Sequence, residues 1–504
     1  MIRAAVRVTL LTVFGGLLSA CAARPTVMEP DVAALAAPLA TGMTEIRDKA
    51  VDQPDVDQLF TAALTGLSAL DHTLRFETND DALIVRHGEM IIARTNRPQH
   101  QDIGEWVANI QTLIAAARRV SPALDTASSE TLLQSLFNGI MPLLDRYSRY
   151  AGRDEAARNR TARNGFVGLG FDLQQAPLGA LVRSTLKDGP ADRAGMISGD
   201  IITHVDGVRL AGLPLAAILH RFDGAADTVT TLTVDRDGMS HAFAVRRALI
   251  IPETVAAETN DSVLYLKVKN FNVHTAAAMS GAISDAGPIR GIILDLRGDP
   301  GGLLDQAVAV ADLFLDHGVI ANLRGRDPAA TQFYAATPGD IAPNIPIVLL
   351  VDGVSASAAE ILAAALQENN RAIAVGTASV GKGTVQILVP LPNDGELALT
   401  WARVFTPNGT LLNERGILPD ICTSSPPIGP PESAGAIIAA TIRARAKAAV
   451  ASPLLDVKTA RSACRPEPRP AQAVDLEVAR RWIADPSLRG ALGPHLPTQF
   501  SATH

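Results

Sequence analysis

The stretch VSASAAEILAAALQENNRAIAVGTASVGKGTVQ runs from Val354 to Gln386. A continuous apolar run from Ile345 to Val351 precedes it and predicts a strand buried on both faces. Ala356 to Glu368 has the length and composition of an apolar helix, and Ala372 to Val375 follows as a short strand. This strand–helix–strand order is typical of an α/β core.

Segments with strand or helix patterns continue on both sides of this unit. They are strands at Val263–Val268, Ile289–Leu296, Val385–Leu391 and Leu397–Phe405, and an apolar helix at Leu303–Asp316. We therefore predict a multidomain α/β protein whose core, with a mixed sheet, covers residues 251–425.

Two side chains in the opening stretch carry candidate chemistry. Ser357 follows a strand at the start of a helix, where a hydroxyl is exposed and the helix dipole is positive. A serine needs a base to become a nucleophile, and no histidine occurs between His317 and His495. Lys382 lies among apolar residues and glycines, and burial lowers a lysine pKa enough to make it a base. Gln386, four residues later, is placed to orient either group.

Each of these residues also has a simpler interpretation. Ser355 or Ser357 alone is most often a helix N-cap, and a lone lysine in a glycine turn usually lies at the surface. Residues 376–382 also mimic a phosphate-binding loop, but that motif requires Ser or Thr directly after the lysine, and Gly383 stands there. Nucleotide binding is therefore not predicted.

Residues 161–250 have a different character. An apolar glycine turn, Gly168-Leu169-Gly170-Phe171, leads into a strand, and a short capped helix and a hairpin follow. This ordered set resembles a PDZ domain of the bacterial type, β-rich with two helices. The resemblance implies that the turn holds a peptide carboxylate and that the strand edge, with a helix near Pro214–Phe222, binds an extended tail. The alternative is that this domain is only a spacer.

The N-terminus has the pattern of a targeting segment. Residues 1–20 combine Arg3 and Arg7 with a short apolar run and small residues before Cys21. This ending resembles the lipobox of bacterial lipoproteins, which implies lipidation at Cys21. An ordinary signal peptide is the alternative. We expect an envelope protein, lipid-anchored to a membrane and facing the periplasm, and Ala22 favours the outer membrane.

Composition limits the remaining possibilities. The 504 residues are 47% apolar and 19% charged with a net charge of −7, so the chain is globular and nucleic-acid binding is not expected. Residues 21–160 read as a tether and a helical N-terminal region, and residues 426–504 as a linker and helical tail that covers the core or binds a partner. Cys422 and Cys464 are expected to form a disulfide in an oxidising compartment, or else remain buried thiols. No metal site or cofactor is indicated.

Taken together, several ordered motifs resemble the carboxyl-terminal processing proteases, which are serine endopeptidases with an inserted PDZ domain. The matching motifs are LDRYSRY at 144–150, LRGDPGGLL at 296–304, SASAAEI at 355–361, VGKGTVQ at 380–386, FTPNG at 405–409 and GILPDI at 416–421. The resemblance implies that Ser357 is the nucleophile, Lys382 the general base and Gln386 the third member. It also implies an oxyanion hole from the N–H of Ala358 and that of Gly301 or Gly302.

The chain departs from the family pattern at three positions near the nucleophile. Asp299 replaces the usual asparagine, Val354 a glycine and Ala359 a serine. We expect protein substrates with apolar C-terminal tails, an adaptor lipoprotein and self-association as partners. The rival hypotheses are a catalytically silent PDZ scaffold that binds partner C-termini, and an interphotoreceptor-like or tricorn-like relative of the same fold.

Overall fold

The fold was analysed in a computed structural model that describes residues 30–99, 102–424, 433–451, 457–469 and 474–492. The predicted signal peptide (1–20) and lipidation site (Cys21) lie outside these residues. No helix in the described ranges is both long and apolar enough to cross a membrane.

The N-terminal region is mainly helical, and its core includes two helices of similar sequence. Gly66 and Gly139 stand at matching positions in these helices, and each backbone packs so closely on the other that an added Cβ would lie 2.2 Å from a carbonyl oxygen. A hairpin of two strands turns at Gly88, and a third strand pairs beside it. The elements are α1 Pro30–Ala33, α2 Ala36–Lys49, α3 Val56–Leu67, β1 Leu74–Thr78, β2 Ala82–His87, β3 Met90–Asn96, α4 Ile103–Arg118, α5 Pro122–Asp125, α6 Ser129–Ile140, a 3-10 turn Met141–Leu143, β4 Arg149–Ala151 and α7 Arg153–Asn164.

The next region is a small barrel-like sheet with two short helices. Its strand order is β11-β10-β8-β7-β6, with β9 beside β8, so β6 lies at an edge. Helix α7 runs across the predicted boundary at residue 160, and the region begins after it. The elements are β5 Phe166–Gly168, β6 Phe171–Ala176, β7 Gly179–Thr185, α8 Pro190–Arg193, β8 Ile201–Val205, β9 Val208–Arg209, α9 Leu215–Leu219, β10 Val229–Arg236, β11 Met239–Arg246 and β12 Ala248–Ile250, which pairs with β5.

The α/β core contains two sheets. One has the order β13-β14-β15-β18-β19-β22 and is parallel except for β13; the other has the order β17-β16-β21-β20, with β4 of the N-terminal region beside β21. The elements are β13 Val255–Asn260, β14 Val263–Val268, α10 Thr275–Asp285, β15 Gly291–Asp295, α11 Leu304–Leu313, β16 Val319–Gly325, a 3-10 turn Pro328–Ala330, β17 Gln332–Ala335, β18 Ile347–Val351, α12 Ala358–Glu368, β19 Ala372–Gly376, β20 Thr384–Pro390, β21 Glu396–Phe405 and β22 Ile421–Cys422.

The C-terminal tail covers the second face of the parallel sheet. Its helices are α13 Ala434–Ala451, α14 Val457–Ala463, α15 Val474–Ala484 and α16 Pro486–Leu492. Ile438, Val478 and Trp482 pack on Ile293 and Leu350 of the sheet, so the tail closes a face that would otherwise expose apolar residues.

The tail is also joined covalently to the end of the core. The structure places Cys422 and Cys464 in a disulfide with an S–S distance of 2.06 Å. Beyond this bond, Gly353 N donates to Glu467 O at 2.9 Å and Arg469 N donates to Asp352 Oδ2 at 3.0 Å. The segment of the tail that contains Glu467 and Arg469 therefore lies against the turn that leads to Ser357.

Candidate active site

Ser357 occupies a strained turn between β18 and α12. Its φ of 57° and ψ of −118° are unusual for a residue with a side chain, and such strain persists where the surrounding structure fixes it. The side chain is half-buried and opens into a cleft of about 710 Å³. A hydroxyl held in this way is accessible and fixed in position.

Ser355, the other serine of the motif, lies in a different environment. It is buried, its Oγ donates to Leu296 O at 2.8 Å, and the same Oγ accepts from Asp352 N at 3.0 Å. Its hydroxyl thus ties the turn to the end of β15 and is absent from the cleft lining. The geometry favours Ser357 over Ser355 as the nucleophile.

Lys382 lines the same cleft as Ser357. Burial lowers the pKa of Lys382, and the charge of Arg149 acts in the same direction, whereas Glu360 and Asp145 oppose it. Its Nζ lies 5.2 Å from the centre of the Tyr147 ring. In the described part of the chain, Nζ makes no hydrogen bond, so Ser357 and Lys382 share a cleft without being hydrogen-bonded to each other.

Glu360 connects Ser357 to Lys382 through their backbones. It is fully buried, and its Oε2 accepts from Ser357 N at 2.8 Å and from Lys382 N at 2.9 Å. Its Oε1 accepts from Gly381 N at 2.6 Å and from the hydroxyl of Ser379. Burial raises the pKa of Glu360, and these four hydrogen bonds act against that shift.

The amide of Gln386 is held by two threonines. Its Nε2 donates to Thr384 Oγ1 and to Thr400 Oγ1, each at 3.0 Å, and Thr400 Oγ1 donates to Asp145 Oδ1 at 3.0 Å. Because both amide hydrogens are used, the amide oxygen is the group left to face the cleft, and it can accept a hydrogen bond from an amine. Gln386 therefore lies beside Lys382 without bonding to it.

The three residues predicted to supply the oxyanion hole, Ala358, Gly301 and Gly302, all line this cleft. Gly301 approaches Ser357 and Ala358 so closely that an added Cβ would lie 2.8 Å from Ser357 Cβ and 2.9 Å from Ala358 N. However, Gly301 N donates to Asp299 Oδ1 at 2.8 Å and is not free. Ala358 N and Gly302 N donate no hydrogen bond to any described residue. Of the two predicted glycines, Gly302 therefore has the available N–H.

Several residues of the N-terminal region reach this site, although no catalytic role was predicted for them. Arg149 of β4 lines the cleft together with Asn159, Ala162 and Arg163 of α7, and the ring of Tyr147 lies near Lys382 Nζ. Strand β4 is held there by its pairing with β21, with Tyr150 opposite Leu397. Asp145 fixes the turn before them by accepting from Tyr147 N at 2.7 Å. Nothing local in the sequence predicts this contact, since the two segments are far apart in the chain.

Glu360 could have been recognised from the sequence. Ser357-Ala-Ala-Glu360 has the S-x-x-E spacing of a capping box, in which the glutamate bonds back to the N-cap N–H. The observed bond from Ser357 N to Glu360 has this arrangement.

No group of three or more His, Cys, Asp or Glu side chains is placed to hold a metal ion in the described ranges.

The predicted peptide site of the PDZ-like region lies beside its edge strand. Gly168, Leu169 and Gly170 form the turn before β6, and Leu169 is buried. Phe171 contacts Phe222 edge-to-face with ring centroids 5.1 Å apart. Since β6 is an edge strand and α9 ends near Phe222, an open strand edge lies beside an apolar surface.

Comparison with known proteins places both regions in families. Residues 262–423 match peptidase family S41, and residues 181–236 match a PDZ domain. A carboxy-terminal-processing protease of Bartonella bacilliformis is 37% identical over 306 residues, which are 59% of this chain and 70% of that protein. A probable CtpA-like serine protease of Staphylococcus epidermidis is 32% identical over 305 residues, 59% of this chain and 62% of that protein.

One of the solved structures to which this chain is similar is a photosystem II D1 C-terminal processing protease. It is 26% identical to this chain, and the match covers 60% of this chain and 82% of that protein with a TM-score of 0.33.

Proposed function

This chain belongs to the carboxy-terminal-processing proteases of peptidase family S41, and we propose that it is a serine endopeptidase that cleaves proteins near C-terminal tails captured by its PDZ domain. The observation that carries the proposal is that Ser357, on a strained turn, and Lys382, desolvated by burial, line one cleft. Such a pair can supply a nucleophile and its base without histidine.

The first half of the reaction forms an acyl-enzyme. The neutral amine of Lys382 takes the proton of Ser357 Oγ as this oxygen bonds to the substrate carbonyl carbon. The N–H groups of Ala358 and Gly302 stabilise the resulting oxyanion. The C–N bond then breaks as the Lys382 ammonium returns its proton to the leaving amine, and the acyl group remains on Ser357.

The second half hydrolyses the ester. Lys382, neutral again, removes a proton from water, and the hydroxide attacks the ester carbonyl. Collapse of this second oxyanion returns the proton to Ser357 Oγ and releases the new C-terminus. The amide oxygen of Gln386 keeps the Lys382 amine directed at the serine once substrate closes the cleft. That step brings into contact two groups that are apart in the present arrangement.

The substrate is proposed to bind as an added strand at two edges. In the described sheets β20 is the last strand beside β21, and Val385 to Leu388 line the cleft, so an extended chain can pair there. The β6 edge and the Gly168–Phe171 turn receive the apolar C-terminal residue and its carboxylate. Lipid attachment at Cys21, a periplasmic location, an adaptor lipoprotein and self-association complete the proposal.

Cleavage of an unfolded protein by the purified full chain tests the proposed activity. Ser357→Ala is expected to lower kcat/KM by at least about a thousandfold, because no other group replaces the nucleophile. Ser355→Ala serves as the matched control and is expected to stay within about tenfold of the wild type, since its hydroxyl only supports the turn. Full cleavage by Ser357→Ala contradicts the proposal.

A binding measurement distinguishes a catalytically silent scaffold from a peptidase. If wild-type protein cleaves nothing but binds peptides with apolar C-terminal residues, and binds the same peptides with amidated ends at least about tenfold more weakly, the chain is a scaffold. The absence of a Ser357–Lys382 hydrogen bond is the observation that keeps this second function in consideration.

A further inference from the structure

Asp299 lies in the loop after β15 and is completely buried. Its Oδ1 accepts from Gly301 N at 2.8 Å, whereas its buried Oδ2 has no hydrogen-bond partner among the described residues. Its backbone oxygen accepts from Ala356 N at 3.0 Å. One residue thus holds the glycine loop through its side chain and the residue before the nucleophile through its backbone.

The glycine that Asp299 holds forms a wall of the oxyanion hole. Gly301 packs directly on Ser357 and Ala358, and it leaves no room for a side chain there. Any negative charge on Asp299 therefore lies close to the place where the substrate oxygen becomes negative during the reaction. Two like charges at short range inside a protein repel strongly because water does not screen them.

Within the part of the chain that the structure describes, no cationic side chain forms an ion pair with Asp299. Lys267 on β14 is the charged group that acts on it, but the Lys267 ammonium donates to Arg297 O and to Asp295 Oδ1, the latter at 3.3 Å. Arg297 is bidentate to Asp295.

Two other acidic groups near Ser357 accept hydrogen bonds from donors of their own. Asp352 on the turn before Ser357 accepts from Gly298 N and Val354 N, and Glu360 on α12 accepts from backbone N–H groups. The ionised form of Asp299 would therefore be an unpaired buried charge.

We propose, on the premise that the chain is a serine peptidase, that Asp299 positions the oxyanion loop in its protonated form, and that its ionisation inhibits catalysis. In the neutral state Oδ1 still accepts from Gly301 N, and no charge opposes the oxyanion. In the ionised state the loop carries a negative charge beside the developing one. The alkaline side of the pH profile is then set by Asp299.

The pH range follows from the surroundings of the carboxyl. Burial raises the pKa of Asp299 to about 7, while the Gly301 N–H and Lys267 oppose the shift. The group is thus neutral in mildly acidic conditions and ionised in alkaline ones. An asparagine, the residue usual at this position among the proteases that the sequence resembles, is neutral at every pH and has the same shape.

The test compares Asp299→Asn with the wild-type full chain, using kcat/KM for one unfolded fluorescent protein between pH 5 and pH 9. Lys382 and the substrate titrate identically in both proteins, so they cancel in the ratio of variant to wild type. We expect this ratio to be flat in the acidic range and to rise about tenfold per pH unit above the pKa of Asp299, as a single deprotonation requires.

Two further variants make the test decisive. Asp352→Asn changes a neighbouring buried carboxyl whose oxygens both accept backbone N–H groups, so its ratio should stay constant with pH. Asp299→Ser is a second neutral variant. Its kcat/KM relative to wild type should rise in the same way above the pKa of Asp299, even if Asp299→Asn does not fold.

A constant ratio for the folded neutral variants across the whole pH range overturns the inference while leaving the peptidase function intact. If the proposed peptidase function itself were wrong, the result would differ, because wild type and Ser357→Ala would then cleave equally.

Discussion

Two buried carboxyl groups flank the nucleophile, one on each side, and they differ in how many donors surround them. Glu360, on the helix side, accepts four hydrogen bonds. Asp299, on the loop side, accepts one through its side chain and has an oxygen without a partner. A buried carboxylate that is fully bonded rigidifies its neighbours, whereas a partly bonded one is free to take up a proton.

The two carboxyl groups thus support the same site in different ways. The helix side fixes the backbones of Ser357 and Lys382 relative to each other in every condition in which Glu360 keeps its donors. The loop side supports Gly301 through a group whose charge depends on pH. The helix side therefore sets the geometry of the site, and the loop side sets its electrostatic potential.

The largest effect is expected from removing Glu360, the fully bonded carboxylate. Glu360→Ala leaves the N–H groups of Ser357, Gly381 and Lys382 and the hydroxyl of Ser379 without their acceptor. We expect kcat/KM to fall at least about a hundredfold, because nucleophile and base lose their common anchor. The free energy of unfolding should fall by about 3 kcal/mol or more. Enzyme assays and thermal unfolding measure the two effects.

Glu368→Ala provides the control for this prediction. Glu368 is buried at the other end of α12, where it accepts from Arg415 Nη1 at 3.0 Å. Its loss should reduce stability without a comparable loss of activity. If Glu360→Ala reduces kcat/KM no more than Glu368→Ala does, the anchoring role of Glu360 is wrong.

A second effect, without a large loss of activity, is expected on the pH dependence of the stability of Asp299→Asn. The folded-state pKa of about 7 lies above the value of about 3.9 for an unfolded chain, so the wild type is most stable relative to the variant below pH 4 and loses that advantage as pH rises to 7. The loss is on the order of 4 kcal/mol. The Tm of Asp299→Asn minus that of wild type should therefore increase by several degrees between pH 4 and pH 8.

Asp352→Asn is the control here as well, and its Tm difference should show no such rise. A Tm difference for Asp299→Asn that does not change with pH would mean that Asp299 titrates in the folded protein as it does in an unfolded chain.

Much of the core could be predicted from apolar patterning. Val263–Val268 is a strand as predicted, and the helix predicted at Ala356–Glu368 is present as α12. These segments have a continuous apolar run or a helical period, which are local signals. In contrast, β16 and α10 were not predicted, because their sequences mix small, polar and apolar residues without a regular period.

The site shows the same division between local and long-range information. Ser357, Lys382 and Gln386 belong to one stretch, and their residue types, together with the resemblance to a protease family, suggested a common site. The bond between Asp299 and Gly301 and the approach of Tyr147 to Lys382 depend on segments that meet only in the folded chain. Sequence comparison marked Asp299 as a departure from the family pattern, but its burial and its unpartnered oxygen required the structure.

The most direct test of the account is to locate the covalent adduct of a fluorophosphonate probe. Wild-type protein is labelled, digested and examined by peptide mass spectrometry, and the labelling rate is compared with that of Lys382→Arg, in which the side chain remains charged and cannot act as a base. The account predicts an adduct on Ser357 and a rate at least about a hundredfold lower in Lys382→Arg. An adduct on Ser355, or equal rates for the two proteins, would contradict it.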